Sequence, residues 1–399
     1  MAIPSGGAPV NSVDDRLSAL ESLVPAGWGT VWRAARGRAA AGIGQARLHV
    51  LGASVARGFY ATDLESTGWV SLVRSGLQSA YGDGGSGFRG VFDSALFLDA
   101  ADGNTQKSSY YGGKANNLWT VAGSGWANIN YVSGPTGRDA IITNHAGDTA
   151  SIQVRGTTVS IYTLDAGAGV GSWTYQVDGG AATTINAPAV FGARKTTITG
   201  LAAGTHTVLL TSVSGYLMVC GVSGENNAGV IVNNLAKSGT DGSQWNGTDG
   251  PPVSADWAGG VSYPADLVIW NLSENEVATG AVSVDTAVLN ARLFFDRIRD
   301  NATVNGLVDL AVVLDHAGTY DSGGHHWHEL GAKLRALAAS YSAAFVDLWA
   351  AGLNSWNYWN SLGYWGNSAN PAVSGTDFVH PSNTGHAFIA RRVLDVLTS

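Results

Sequence analysis

The chain has 399 residues, enough for two or three domains and a sizeable core. Its net charge of −8 argues against nucleic acid as the main partner, its single cysteine (Cys220) excludes an intrachain disulfide, and it has no apolar run of about 18 residues to span a membrane. Charged residues make up 13% and glycine accounts for 54 positions, a balance that suits a loop-rich extracellular or virion protein better than a cytosolic helical one.

The first residues, Met1 to Gly7, lack the basic region and apolar core of a secretory signal peptide. Val10, Val13, Leu17, Leu20 and Val24 then alternate steps of three and four, the seam of a heptad helix. Ser12 can cap it, and Pro25 and Gly27 close it. Residues 1–27 are therefore expected to form a short coiled-coil helix. It serves either as an oligomerisation bundle, a trimer, or as a single helix packed on its own domain, since so short a helix is marginal alone.

The apolar run Leu48–Leu51 ends in the small-residue turn Gly52-Ala53-Ser54, the way a buried strand delivers a hydroxyl to a sheet edge. Trp69, Leu72, Val73, Leu77 and Tyr81 predict an amphipathic helix that stops at Gly82-Asp83-Gly84-Gly85. From residue 116 the texture changes. Ser151–Val154, Val159–Tyr162, Ser172–Val177, Thr196–Thr199, Thr205–Leu210 and Leu217–Cys220 read as short alternating strands separated by turn clusters such as Asp178-Gly179-Gly180. That spacing predicts a β-sandwich over 116–222, with Cys220 as a small buried hydrophobe.

Gly229–Val232 and Leu267–Leu272 are further apolar strands, each running into polar residues: Asn233 to Thr240 after the first, Ser273 to Glu276 after the second. Strands at Leu310–Leu314 and Ala343–Asp347 extend the same sheet, and in an open α/β sheet sites collect at the carboxyl ends of strands. The histidines His316, His325, His326 and His328 invite a metal reading, but three ligands and a supporting shell are required. A loop at the rim of the site is the favoured reading, with His326 as a candidate substrate contact and no metal assigned. Trp356, Trp359, Tyr364 and Trp365 are candidates for stacking on a sugar ring or gripping an acyl chain, with a packed loop or subunit interface as the other reading. Last come Asp377 and His380, three residues apart, able to share one loop and reach the Ser54 hydroxyl. Pro381 suits the first turn of a helix that carries Phe388, Ile389, Val393, Leu394 and Leu397 at helical spacing.

The order of four blocks, at 48–58, 230–240, 267–276 and 376–381, resembles the SGNH (GDSL-type) hydrolase family. The resemblance implies a three-layer α/β/α fold with a parallel sheet, Ser54 as nucleophile, His380 as base and Asp377 as the residue that orients it. It implies an oxyanion hole from the Ser54 and Gly239 backbone N–H groups and the Asn275 side-chain amide, and no cofactor. Two departures stand out: Ala53 replaces the family's Asp before the serine, and the third block reads Ser273-Glu274-Asn275-Glu276 where the family has Gly-x-Asn-Asp.

The expected organisation is an N-terminal helix (1–27), a first hydrolase part (28–115), an inserted sandwich (116–222) and a second hydrolase part (223–399). The sandwich looks like the jelly-roll modules that accompany carbohydrate-active enzymes, and both sugar contact and pure packing are open for it. The whole resembles an actinobacteriophage minor tail protein. Its expected function is a serine esterase that deacylates an ester-bearing glycan or glycolipid of the host envelope. The alternative is a non-catalytic tail adhesin on the same scaffold. The expected partners are that glycan, other copies of the chain and other tail proteins, with the protein located in the virion tail.

Overall fold

In a computed structural model, residues 22–91, 118–130, 139–166, 171–187, 191–246, 265–277, 282–300, 307–316, 325–353, 355–366 and 379–399 are described. Residues 1–21 and Asp377 lie outside them, and with them most of the expected coiled-coil seam.

Five strands form a parallel sheet. Their spatial order is Gly229–Asn234, Gln45–Gly52, Leu267–Asn271, Asp309–Leu314, Ala344–Asp347. The two-residue strand Ser22–Leu23 adds to the far edge, antiparallel to Phe345 and Val346. The helix expected to run through Val24 therefore does not include Ser22 and Leu23: pairing with the open sheet edge satisfies their backbone instead. Leu267–Asn271 and Ala344–Asp347 are buried at every position, which is why these segments read as continuous apolar runs rather than as alternation.

Helices cover both faces. On one, Thr30–Ala40, Trp69–Tyr81 and Asn383–Thr398 bury Trp32, Trp69, Leu77, Ile389 and Val393 against Leu48 and Val50. On the other, Val284–Asp300 and His325–Ser340 bury Phe294, Phe295, Leu330 and Leu334 against Trp270 and Leu310. Each such side chain contributes about 1.5–3 kcal/mol by leaving water. The C-terminal helix begins at Asn383, two residues later than Pro381 suggested. Ser382 is its cap and accepts from the Gly385 amide at 3.2 Å, so Pro381 stands just outside it.

The residues between the first and second strands of the sheet build two antiparallel sheets. One runs Thr183–Asn186, Ser172–Val177, Thr205–Ser214, Thr149–Arg155, Trp119–Ala122. The other runs Phe191–Ile198, Thr158–Ala166, Leu217–Glu225, Asp139–Thr143, Ala127–Asn130. Trp119, Ile152, Ile161, Trp173, Val208, Leu210 and Val222 from both sheets share one core. In Thr205–Ser214 buried positions alternate with open ones, the period-two pattern of a half-covered strand.

The strand Gly87–Gly90 leaves the α/β part and pairs with Leu217–Glu225. Glu65 fastens this junction by bridging Arg74, at 2.8 Å, and Arg89. Burial alone would raise the Glu65 carboxyl, but the two guanidiniums outweigh it and hold it below the usual carboxylate range.

Candidate active site

The strand order reverses between Gln45–Gly52 and Leu267–Asn271, whose neighbours lie on opposite sides. That is the topological switch point, where ligands bind in open α/β sheets. Ser54 follows the first of these strands and Asn275 follows the second.

The turn that carries Ser54 is close-packed. Gly52 is paired with Asn271, and a Cβ at position 52 would lie 2.4 Å from the Ala56 Cβ and 2.8 Å from the Asn271 carbonyl oxygen. Ala53 leads into the short helix Ser54–Arg57, and Gly58, at φ 95°, ends it with its N–H on the Ser54 carbonyl at 3.1 Å. Ser54 is 8% exposed. Its Oγ lies 2.8 Å from Nε2 of His380.

The second block folds back onto the first. The Lys237 amide donates to the Gly52 carbonyl at 2.9 Å, and Gly239 adopts φ 78°, in the left-handed region. Asn275 Nδ2 donates to the Thr240 carbonyl at 2.8 Å, which joins the third block to the second. The sequence-predicted residues Ser54, Gly239, Asn275 and His380 thus belong to segments at one end of the sheet that these hydrogen bonds link.

Two buried acids support the third block, and the sequence reading had singled out neither for this role. Asp315, at the end of Asp309–Leu314, is 2% exposed. Its carboxylate accepts from Asn271 Nδ2 at 2.6 Å, Ser273 Oγ at 2.7 Å and the Glu274 amide at 3.1 Å. Burial raises its pKa, and these donors pull against that. Glu276 accepts from the Gly242 amide at 3.0 Å, and burial pushes its carboxyl up to about 8. Ser273 and Glu276, which depart from the family pattern, are thus hydrogen-bonded parts of the loop.

The segment bearing His380 is pinned on both sides. His316 Nε2 donates to the Val379 carbonyl at 2.7 Å while its ring stacks on Trp359 at 4.5 Å. The Gly366 amide donates to the His380 carbonyl at 2.8 Å. His316 is therefore a buried structural partner of the His380 segment rather than a rim residue. The signal was its place at the end of a sheet strand. Among the described residues, no group of three or more His, Cys, Asp or Glu side chains stands together as a metal site.

The aromatic candidates divide. Trp359 and Trp365 are fully buried, and Trp359 packs so tightly on Gly352 that a Cβ there would lie 1.9 Å from the indole nitrogen. Neither can stack on a sugar: both are core residues, Trp359 turned into the sheet-facing layer by the helix Trp356–Ser361 and Trp365 held in the same cluster by a bridge to Pro381. Trp356 and Tyr364 are half-buried at the edge of that cluster. His326 is exposed on the first turn of His325–Ser340, and no hydrogen bond or ring contact joins it to Ser54 or His380.

No family model and no curated protein matches the chain. A solved structure of a peptidoglycan O-acetylesterase shares the fold, with a TM-score of 0.65 over 92% of this chain and 95% of that one at 18% identity. A family two carbohydrate esterase with a carbohydrate-binding domain from Corynascus thermopiles (Myceliophthora fergusii) aligns over 70% of this chain and 98% of its own at 13% identity and a TM-score of 0.32. A family two carbohydrate esterase from Clostridium thermocellum aligns over 68% and 97% at 15% identity and 0.28. The last two scores are too low to carry an argument.

Proposed function

We propose that the protein is a serine ester hydrolase that removes acyl groups from a cell-envelope glycan or glycolipid. The observation that carries this reading is the 2.8 Å approach of Ser54 Oγ to His380 Nε2 at the switch point of the sheet. The fold shared with a peptidoglycan O-acetylesterase supports a glycan ester as the substrate class.

The chemistry follows from the roles. Ser54 gives its proton to His380 Nε2 as its oxygen attacks the ester carbonyl. The carbonyl oxygen takes the negative charge and meets the Ser54 and Gly239 N–H groups and the Asn275 amide. One such donor is worth about 3–4 kcal/mol in the transition state. Asp377 orients the imidazole and stabilises the imidazolium. His380 then returns the proton to the departing sugar oxygen, leaving an acyl-serine. A water loses its proton to His380, attacks the acyl carbon and restores the Ser54 hydroxyl.

Release of p-nitrophenol from p-nitrophenyl acetate, with Ser54→Ala as control, tests the reading. Activity that survives in Ser54→Ala removes the triad. The adhesin reading keeps one observation on its side: an N–H of Asn275 is already given to the Thr240 carbonyl. Binding to cell-wall glycan without turnover of any ester would favour it. We propose a place on a bacteriophage tail on overall resemblance alone: the N-terminal heptads, high glycine content and inserted sandwich look like an actinobacteriophage minor tail protein. A monomeric native mass would oppose the trimer this implies.

A further inference from the structure

The turn after the nucleophile helix uses two aromatics that the chemistry above does not mention. Gly58 and Phe59 both return their N–H to the Ser54 carbonyl, at 3.1 and 3.0 Å. The chain then holds Tyr60 at φ 64°, a left-handed conformation that is costly for a bulky side chain. The strain brings the Tyr60 ring edge-on to His380, with centroids 5.6 Å apart at 87°. The Phe59 ring lies over the same imidazole, 4.4 Å away at 38°.

The turn is fastened to the segment that carries the base. His386 Nε2 donates to the Phe59 carbonyl at 3.0 Å, and burial holds that imidazole down at about 4, so it stays neutral. The Thr62 amide donates to Asn383 Oδ1 at 3.0 Å, and Asn383 Nδ2 returns to Thr62 Oγ1 at 2.8 Å. Gly366 completes the arrangement. A Cβ there would stand 2.8 Å from Tyr60 Cδ2 and 2.9 Å from its Cβ, so only glycine lets Tyr60 close on this side while its own N–H holds the His380 carbonyl.

We propose that Phe59 and Tyr60 are positioning residues that clamp the His380 ring so that Nε2 faces Ser54 Oγ. The inference rests on the esterase reading. The two rings limit rotation of the imidazole about its Cβ–Cγ bond, and the Phe59 face meets the charge the ring acquires when it takes the serine proton. A reacting group misplaced by about 1 Å can cost on the order of a hundredfold in rate.

The test compares Phe59→Leu and Tyr60→Gly with Phe59→Tyr and Tyr60→Phe on p-nitrophenyl acetate, at a temperature where circular dichroism shows each variant folded. Loss of either ring is expected to lower kcat by about ten- to a hundredfold with KM within about twofold. Tyr60→Phe should recover most of the rate that Tyr60→Gly loses. Unchanged kcat in the ring-deleted variants, a change confined to KM, or Tyr60→Phe as defective as Tyr60→Gly would each overturn the clamp. If the wild type shows no Ser54-dependent turnover, the esterase reading fails, and the clamp is decided by crystal structures of Phe59→Leu and Tyr60→Gly. A second His380 rotamer supports it. A single rotamer at the wild-type distance from Ser54 overturns it.

Discussion

Asp315 and Ser273 exchange hydrogen bonds: the Ser273 hydroxyl donates to Asp315 Oδ2 at 2.7 Å and accepts from the Asp315 amide at 3.0 Å. With Asn271 and Glu274 on the same carboxylate, the chain leading to Asn275 is wound around one buried acid. Asp315→Ala leaves several buried donors without an acceptor and should destabilise the fold by about 3 kcal/mol, read from urea unfolding. It should also lower kcat at temperatures where the variant is folded. A full kcat in a destabilised variant would mean that Asn275 does not depend on this acid.

Asn275 itself can be tested at its side chain. Asn275→Ala removes one proposed oxyanion donor and should reduce kcat by roughly a hundred- to a thousandfold with little change in KM. An effect on KM alone would assign Asn275 to ground-state binding.

Gly52→Ala places a methyl group against Ala56 and the Asn271 carbonyl, both parts of the closely packed switch point. A destabilisation of about 1–3 kcal/mol is expected, with loss of activity as the Ser54 turn shifts. Thermal unfolding and the esterase assay on one preparation would check both.

Glu276 gives a pH signature. Its folded pKa of about 8 lies above the ordinary 4.5, so the stability tied to its protonated form is fully present below about 4.5. That stability is lost as pH rises towards 8, by up to about 1.4 kcal/mol per pH unit. Glu276→Gln keeps an acceptor for the Gly242 amide and cannot ionise. Its melting temperature relative to wild type should climb across that window and level off above it. A constant difference from pH 4.5 to 8 would show that Glu276 ionises as it does in water.

Trp359 and His326 should separate cleanly. Trp359→Ala empties a core position and should cost about 3–5 kcal/mol. His326→Ala, at an exposed helical site, should leave both the melting temperature and glycan hydrolysis near wild type. A His326→Ala variant with an altered KM for glycan would restore it as a substrate contact.

The blocks around Ser54, Gly239 and Asn275 were legible because each couples an apolar strand to a small or polar turn, and strand burial on both faces leaves a continuous apolar run; His380 was legible from its spacing to Asp377 and the Pro381 that follows. The amphipathic helix Trp69–Tyr81 and all six expected sandwich strands were legible from spacing, and each coincides with an observed element. Trp119–Ala122 and Thr183–Asn186 were not, because each is only four residues long, and the second is largely open. Trp359 and Trp365 were ambiguous for another reason: an aromatic among Asn and Ser looks the same in sequence whether the backbone turns it in or out. Asp315 and Tyr60 carried no motif. Their roles arise from where a strand ends and how a turn bends.

The pairing of Gln45–Gly52 with Gly229–Asn234 also governs the order of assembly. Leu48 meets Val232 only after the chain has passed through both antiparallel sheets. Neighbours so far apart close a costly loop, whereas Tyr175 and Thr183 meet across a short turn. The sandwich hairpins can therefore form early on a growing chain, while Gln45–Gly52 waits unpaired, since its other neighbour Leu267–Asn271 comes later still. That exposed edge is the stage at which a nascent chain is most open to aggregation. Folding of the intervening sheets ends the wait by drawing the two strands together.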